Sequence, residues 1–116
     1  MMFLDITGLR IYLRLGATDM RKAINTLSIL VQDGMKLDPL NDGLYVFCNR
    51  RRDIMKVLYW DKNGFCLWQK RLEKDRFRWP ESEQEVIEID SSRLGWLLSG
   101  LDITRAHEKL HYTSVL

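Results

Sequence analysis

Two groups of side chains in this sequence have types and spacings that could support chemistry. The first is the pentapeptide HEKLH, in which His107 and His111 lie four residues apart with Glu108 beside the first histidine. On a helix, this spacing places both imidazoles on one face, where they can hold zinc while the glutamate polarises a water molecule. The second group is the run Arg50–Arg52, whose guanidinium groups suit phosphate oxygens.

The surroundings of HEKLH argue against a zinc enzyme. A hydrolytic zinc site needs a third protein ligand, but the chain has only these two histidines and five residues after His111. The spacing of the carboxylates does not indicate a replacement. We therefore expect two surface histidines, and a protein that is not an enzyme and holds no metal or cofactor. A two-metal nuclease is not indicated either, because three aspartates have structural uses as helix cap, loop partner and turn residue: Asp19, Asp53 and Asp61.

Length and composition predict one ordinary globular domain. Of the 116 residues, 46% are hydrophobic and 29% are charged, and we expect a single domain over residues 1–104 with a C-terminal tail over 105–116. No apolar run approaches the roughly 20 residues that cross a bilayer. The N-terminus lacks the basic-then-apolar order of a signal peptide, so we expect a cytoplasmic protein. Cys48 and Cys66 are too few for a disulfide framework, and we expect buried thiols.

The first half of the chain predicts a strand followed by a helix. Residues 9–15 alternate enough between apolar and polar side chains for a short strand. Residues 19–34 have apolar side chains at helical spacing, with Asp19 as the N-cap and Gly34 as the end of the helix.

The second half predicts a β-meander followed by a short helix. The pair Asn63-Gly64 is a strong hairpin signal between two of the β-forming segments. The stretch DSSRLGWLLSG then predicts a capped helix with Leu94, Leu97 and Leu98 facing the core and Leu101 as a further candidate. We predict an α+β fold: a small antiparallel β-meander sheet of three to five strands, with an N-terminal helix and a short C-terminal helix packed on one side of it. The predicted segments of the meander are 44–48, 54–60 and 65–72, and residues 86–89 are a candidate for an added edge strand.

Charge is distributed unevenly along the chain. Residues 1–48 contain equal numbers of basic and acidic side chains, whereas residues 49–79 contain ten basic against four acidic. Residues 80–116 reverse the balance, with three basic against seven acidic. A compact basic centre is therefore followed by an acidic end, and the overall net charge of +2 conceals this asymmetry.

A hairpin would gather the basic residues of the centre. Arg50–Arg52 fall between two predicted strands, Lys70 and Arg71 end the strand that the hairpin folds back beside them, and Arg76 and Arg78 follow. Tryptophans are interleaved with these charges, and exposed rings can stack on unpaired bases while guanidinium groups hold phosphates. The candidate nucleic-acid-binding residues are Arg50, Arg51, Arg52, Lys56, Trp60, Trp68, Lys70, Arg71, Arg76, Arg78 and Trp79.

Composition alone leaves three interpretations of this centre open. It could be a nucleic-acid surface, a protein-binding surface, or an unremarkable basic face in which Trp60 and Trp68 are buried beneath arginine stems. Three neighbouring arginines are often only a solvated loop, and aromatic residues in strands are more often part of the core than of a binding platform.

Several stretches, in this order, resemble one known family. They are DMRK at residues 19–22, then NRRRD, KVLYWDKNGF, LWQKRLEKDRFRWP and LLSGLDI. The chain resembles the TnpB family of accessory proteins from insertion-sequence-66-type bacterial transposable elements, over about residues 10–104. HEKLH lies beyond the securely matched region.

The resemblance implies a non-catalytic factor for transposition, made beside a separate transposase that carries the strand-transfer chemistry. It implies no catalytic residues. Two hypotheses follow. The first is an accessory factor that binds the DNA of the element ends through the basic, aromatic-rich sheet edge. The second is an adaptor that contacts the transposase, or pairs with a second copy to form a homodimer, without binding DNA directly.

Overall fold

Five segments of alternating or continuous β-forming residues make one sheet, and two amphipathic segments make the helices. The computed structural model describes residue 6 and residues 8–41, 43–101 and 103. The elements are β1 (Arg10–Arg14), α1 (Ile24–Ile29), β2 (Gly43–Cys48), β3 (Ile54–Asp61), β4 (Gly64–Arg71), β5 (Val86–Ile89) and α2 (Ser91–Leu98). Helix α1 continues into a π-helical turn, Leu30–Gly34.

The sheet is mixed rather than antiparallel. Its strand order is β4-β3-β2-β1-β5, and β1 pairs with β2 in parallel, with Ile11 opposite Leu44. The other three pairings are antiparallel. The predicted meander is confirmed for β2, β3 and β4, whereas the prediction that the whole sheet is antiparallel is wrong because of the β1–β2 pair. Strands β1 and β2 are joined by a crossover that contains α1, and such a connection allows parallel pairing where a tight turn does not.

The first helix is internal and shorter than predicted. It begins at Ile24 rather than after Asp19, and it lies between β1 and β2, so it is not N-terminal. The predicted order of a strand followed by this helix is confirmed. Asp19 does not cap it. Its carboxylate accepts hydrogen bonds from the backbone N–H of Arg21 at 2.9 Å and from the guanidinium at 2.6 Å. These bonds lower the pKa of Asp19 to about 2 and hold residues 19–21 in a turn, which is the competing use of an aspartate near a helix start.

The two helices cover opposite faces of the sheet, so the prediction that both pack on one side is wrong. Leu27 and Val31, from α1 and its π-helical turn, pack on one face, against side chains that include Phe47. Helix α2 packs on the other face. Successive strand residues point to opposite faces, so each strand contributes to both cores. The buried residues of the α2 side include Ile11, Leu13, Leu44, Val46, Met55, Val57, Leu94, Leu97 and Leu98.

The end of the described chain agrees with its sequence pattern in most respects. Strand β5 is confirmed as an edge strand, and Asp90 caps α2 by accepting from the backbone N–H of Arg93 at 2.8 Å. Leu94, Leu97 and Leu98 are buried as predicted, but Leu101 is 48% exposed because the chain turns away after Gly100, whose φ is +82°.

The β3–β4 hairpin and Cys66 differ in detail from the sequence prediction. The hairpin loop consists of Lys62 and Asn63, one residue earlier than Asn63-Gly64, because Asp61 pairs with Gly64. Cys48 is fully buried, and burial raises the pKa of its thiol to about 11. Cys66 is only partly buried. No helix among the described residues is long and apolar enough to cross a membrane.

Candidate nucleic-acid interface

The basic residues converge at one end of the sheet. Because β1 and β2 run parallel and β3 runs against them, the ends of β1 and β2 and the start of β3 lie at the same end. The end of β4 joins them, since Ile54 pairs with Arg71. We call the exposed arginines at this end the arginine rim. They are Arg50, Arg51, Arg71, Arg76 and Arg78.

The loop between β2 and β3 is held in shape by Asn49. Its side-chain oxygen accepts from the backbone N–H groups of Asp53 at 3.0 Å and Ile54 at 3.1 Å. Its amide nitrogen donates to the Asp53 carboxylate at 2.6 Å. One asparagine thus closes the loop that carries Arg50 and Arg51, and these side chains are presented from an ordered backbone.

A second segment, residues 72–80, is hydrogen-bonded to this loop, and we call it the strap. The backbone N–H of Leu72 donates to the Asp53 carbonyl oxygen at 2.8 Å, and that of Phe77 donates to the Arg52 carbonyl oxygen at 2.7 Å. Phe77 is 2% exposed and anchors the strap in the α2-side core. Arg76 and Arg78 flank this anchor and are both exposed, so the strap carries two further guanidinium groups to the rim.

The pKa of Asp53 is affected by charged side chains from both the loop and the strap. Its pKa is lowered chiefly by the hydrogen bond from Asn49, and further by the positive charges of Arg51 and Arg76. One of these arginines belongs to the loop and the other to the strap, 25 positions apart in the sequence. Positive charges from two separate basic segments therefore act on the same carboxylate.

Four rim arginines form no ion pair with another described residue. Within the described part of the chain, the ion pairs are Arg10–Glu88, Arg21–Asp19 and Arg71–Glu73. Arg71 is thus engaged by a neighbouring carboxylate at 3.1 Å, but both side chains are more than half exposed, so this pair is weak and readily exchanged. The four rim arginines without an ion pair among the described residues are Arg50, Arg51, Arg76 and Arg78.

Arg52 has an internal role despite its place in the arginine run. Its backbone is left-handed, with φ at +61°, and its guanidinium donates to the carbonyl oxygens of Asn49 and Leu15, each at 3.3 Å. It also lies over the ring of Trp79, 5.8 Å from the centroid. These contacts tie the loop to the end of β1 and to the strap, so Arg52 positions the rim and is not one of its free charges.

The two candidate lysines also have internal partners. Lys56 is only 8% exposed, and its ammonium group donates to the carbonyl oxygens of Met20 at 2.8 Å and Lys22 at 3.0 Å. Lys70 donates to the Leu98 carbonyl oxygen at 3.0 Å, at the C-terminal end of α2, where a cation is favourable. Neither ammonium group projects freely at the rim.

The candidate tryptophans are not exposed beside the arginines. Trp79 is 8% exposed, and its indole N–H donates to the Arg14 carbonyl oxygen at 3.0 Å. Trp68 packs against the α2-side core. Trp60 lies near the hairpin loop, six residues along β3 from Ile54, and so about 20 Å from the rim. Its ring makes an edge-to-face contact with the ring of Phe65, with the two centroids 5.0 Å apart.

Comparison with known proteins places the chain in a family. The family model described as IS66 Orf2 like protein matches residues 9–108. This chain belongs to the IS66 Orf2-like family. Two relatives from Sinorhizobium fredii support the match. Protein y4hO is 39% identical over 93% of this chain and 94% of its own length, and protein y4jC is 32% identical over 88% and 87%. Both relatives are described as uncharacterized. No solved structure matches this chain.

Family membership makes this IS66 Orf2-like protein an accessory protein of an insertion sequence, as the sequence motifs predicted. The matched range contains both the loop and the strap. All five arginines of the rim therefore lie within the part of the chain that defines the family.

An acidic segment borders the rim of this IS66 Orf2-like protein. Residues 81–85 follow the strap and return to β1, where the backbone N–H of Leu15 donates to the Glu85 carbonyl oxygen at 2.9 Å. A groove of about 540 Å³ is lined by these residues and by Arg14 and Arg52. Glu81 and Glu83 are exposed, as is Glu85, and none of the three forms an ion pair with another described residue.

Sequence reasoning missed two features of this region. The residues before α1 form the wall of a depression of about 440 Å³ that faces Arg50 and Arg51, and the only sequence signal was the proximity of DMRK to the helix start. The closure of the β2–β3 loop by the hydrogen bonds of Asn49 was also missed, although an asparagine at the start of a loop is a recognisable turn signal.

Among the described residues, no three His, Cys, Asp or Glu side chains lie close enough together to hold a metal ion. His107 and His111 lie outside the described residues.

Proposed function

We propose that this IS66 Orf2-like protein is a non-catalytic accessory factor for transposition that binds the DNA of the element ends through the arginine rim. The observation that carries the proposal is the convergence of Arg50, Arg51, Arg76 and Arg78 from two chain segments at one end of the sheet. All four are exposed, and none forms an ion pair within the described structure.

Phosphate binding is the chemistry that these groups serve best. A guanidinium group presents a rigid fork of N–H donors that matches phosphate oxygens. Each phosphate contact also displaces condensed counterions from DNA, and this makes binding strong at low salt and much weaker as salt rises. An ordered loop and a strap anchored in the core reduce the cost of fixing the arginine backbones on binding.

The test compares two double variants with the same change in charge. R76Q/R78Q removes two rim charges, while R10Q/K62Q removes two exposed charges at the opposite end of the sheet, where β1 begins and the β3–β4 hairpin turns. We expect R76Q/R78Q to weaken binding to element-end DNA at low salt by about tenfold or more, since two phosphate contacts are lost. R10Q/K62Q should change it much less. Fluorescence anisotropy with a labelled duplex measures both.

Equal losses in the two variants would show that only net charge matters and would contradict the proposal. If wild type does not bind DNA at low salt, the second candidate function replaces the first. This candidate is an adaptor to the transposase. The observation that favours it is the exposed carboxylates of Glu81, Glu83 and Glu85, which form no ion pair with another described residue. Co-elution of the chain with the transposase from a sizing column, without DNA, would then support it.

A further inference from the structure

We infer that the nucleic acid held by the arginine rim is double-stranded DNA, contacted at its phosphates, and not an unpaired strand stacked on aromatic rings. This inference rests on the proposed function and names the form of its ligand. It departs from the sequence prediction, in which interleaved tryptophans were expected to stack on unpaired bases.

The aromatic side chains nearest the rim are part of the core. Phe77 and Trp79 alternate with the exposed Arg76 and Arg78, but they are 2% and 8% exposed. The indole N–H of Trp79 is already bonded to the Arg14 carbonyl oxygen, and Arg52 covers its ring. A base cannot stack on either ring unless the strap detaches from the sheet.

No other described ring replaces them. Tyrosine, phenylalanine and tryptophan are all either buried or only partly exposed in residues 8–41 and 43–101. The large hydrophobic side chains that are exposed there are aliphatic: Ile29, Leu40 and Leu101. Surfaces that bind single strands without base pairing combine a basic groove with exposed rings, and stacking supplies about 1–3 kcal/mol per base. The arginine rim supplies positive charge, but none of the described aromatic rings is exposed beside it.

A surface made of guanidinium groups alone favours the ligand with the higher density of fixed negative charge. Duplex DNA carries one charge per about 1.7 Å of its axis, and more counterions are released per phosphate contact than from a single strand. A duplex also keeps its bases stacked on one another, so it needs no ring from the protein. Both differences favour the duplex.

The experiment titrates the protein with a labelled element-end duplex and with each of its two strands alone, at matched length and low salt. We expect the duplex to bind about tenfold more tightly or better than either strand, because of its higher charge density. R76Q/R78Q should weaken binding to the duplex. Tryptophan fluorescence should stay nearly constant on saturation, since no indole ring meets a base.

Each outcome decides between the two claims. A single strand that binds as tightly as the duplex, or that quenches tryptophan emission strongly, overturns this inference while leaving DNA binding intact. Absence of binding to the duplex and to both strands at low salt overturns the proposed function itself. Preference for the duplex with unchanged emission supports both.

Discussion

Lys56 turns its ammonium group into the interior, where the carbonyl oxygens of Met20 and Lys22 accept from it. These carbonyls belong to the segment before α1, which wraps over β3 on the α1 side of the sheet. Burying a cation without hydrogen-bond partners costs free energy. Here two carbonyl oxygens accept from the ammonium group, and each of them gains a donor in return. Lys56 therefore fixes the segment that faces Arg50 and Arg51 across the shallow depression.

Replacing Lys56 by methionine tests this role. Lys56→Met keeps most of the apolar stem but leaves the two half-buried carbonyl groups without this donor, so we expect the free energy of unfolding to fall by about 1–3 kcal/mol. The exposed Lys74→Met should change it by less than about 0.5 kcal/mol. Urea denaturation measures both. A stable Lys56→Met variant with a large loss of DNA affinity would instead show that Lys56 contacts phosphate.

The sequence identified the residue types of the site but not the use of each side chain. Arg50, Arg51 and Arg52 are identical in type and adjacent in sequence, yet only Arg52 bonds to the carbonyl oxygen of Leu15, 37 positions away. Lys70 bonds to Leu98, 28 positions away. Acceptors this distant are set by tertiary packing, and no local pattern in the sequence contains them.

At the scale of elements, local patterns predicted strands and helices better than their arrangement. The hairpin signal and the capped start of α2 are properties of neighbouring residues, and the structure confirms both. The parallel pairing of β1 and β2 was missed, although strand, helix and strand in succession is the usual signature of a parallel crossover. Asp19 was misassigned because the same side chain stabilises a turn as well as a helix cap.

The contact between the loop and the strap is the element-scale feature on which the rim depends. The pKa of Asp53 is held below its ordinary value, first by Asn49 and then by Arg51 and Arg76. A carboxyl group whose pKa is lowered on folding contributes stability that is present above its ordinary pKa. That stability is lost as the pH falls through the lowered value. Acid should therefore loosen this contact.

Carbon-13 NMR of the Asp53 carboxyl group measures this contact without any ligand. In Arg76→Gln we expect the pKa of Asp53 to rise part of the way towards its ordinary value, because one positive neighbour is lost while the bond from Asn49 remains. The control is Arg78→Gln, since Arg78 does not contribute to the lowered pKa, and it should leave the titration unchanged. An Asp53 titration that is indifferent to Arg76 would mean that the strap does not lie beside the loop.

Viewed as a whole, the molecule concentrates opposite charges side by side at one end of its sheet. The arginine rim lies over β2, β3 and β4, and the acidic segment of residues 81–85 lies beside the end of β1. A net charge of +2 would steer DNA weakly, whereas a local cluster of exposed guanidinium groups would concentrate positive potential at one place, as the proposed function requires. The uneven charge along the sequence predicted a cluster of basic residues. Only the fold shows which of them form ion pairs or internal hydrogen bonds with other described residues.

The most direct test of the account is the salt dependence of duplex binding in a series of four proteins: wild type, R50Q/R51Q, R76Q/R78Q and the quadruple variant. If the four arginines form one phosphate-binding surface, the slope of log K against log salt should be about −3 to −4 in wild type and roughly half as steep in each double variant. The quadruple variant should show the shallowest slope of the series, since Arg71 is then the one arginine of the rim that remains. A double variant that keeps the wild-type slope would contradict the claim that the loop and the strap bind DNA together.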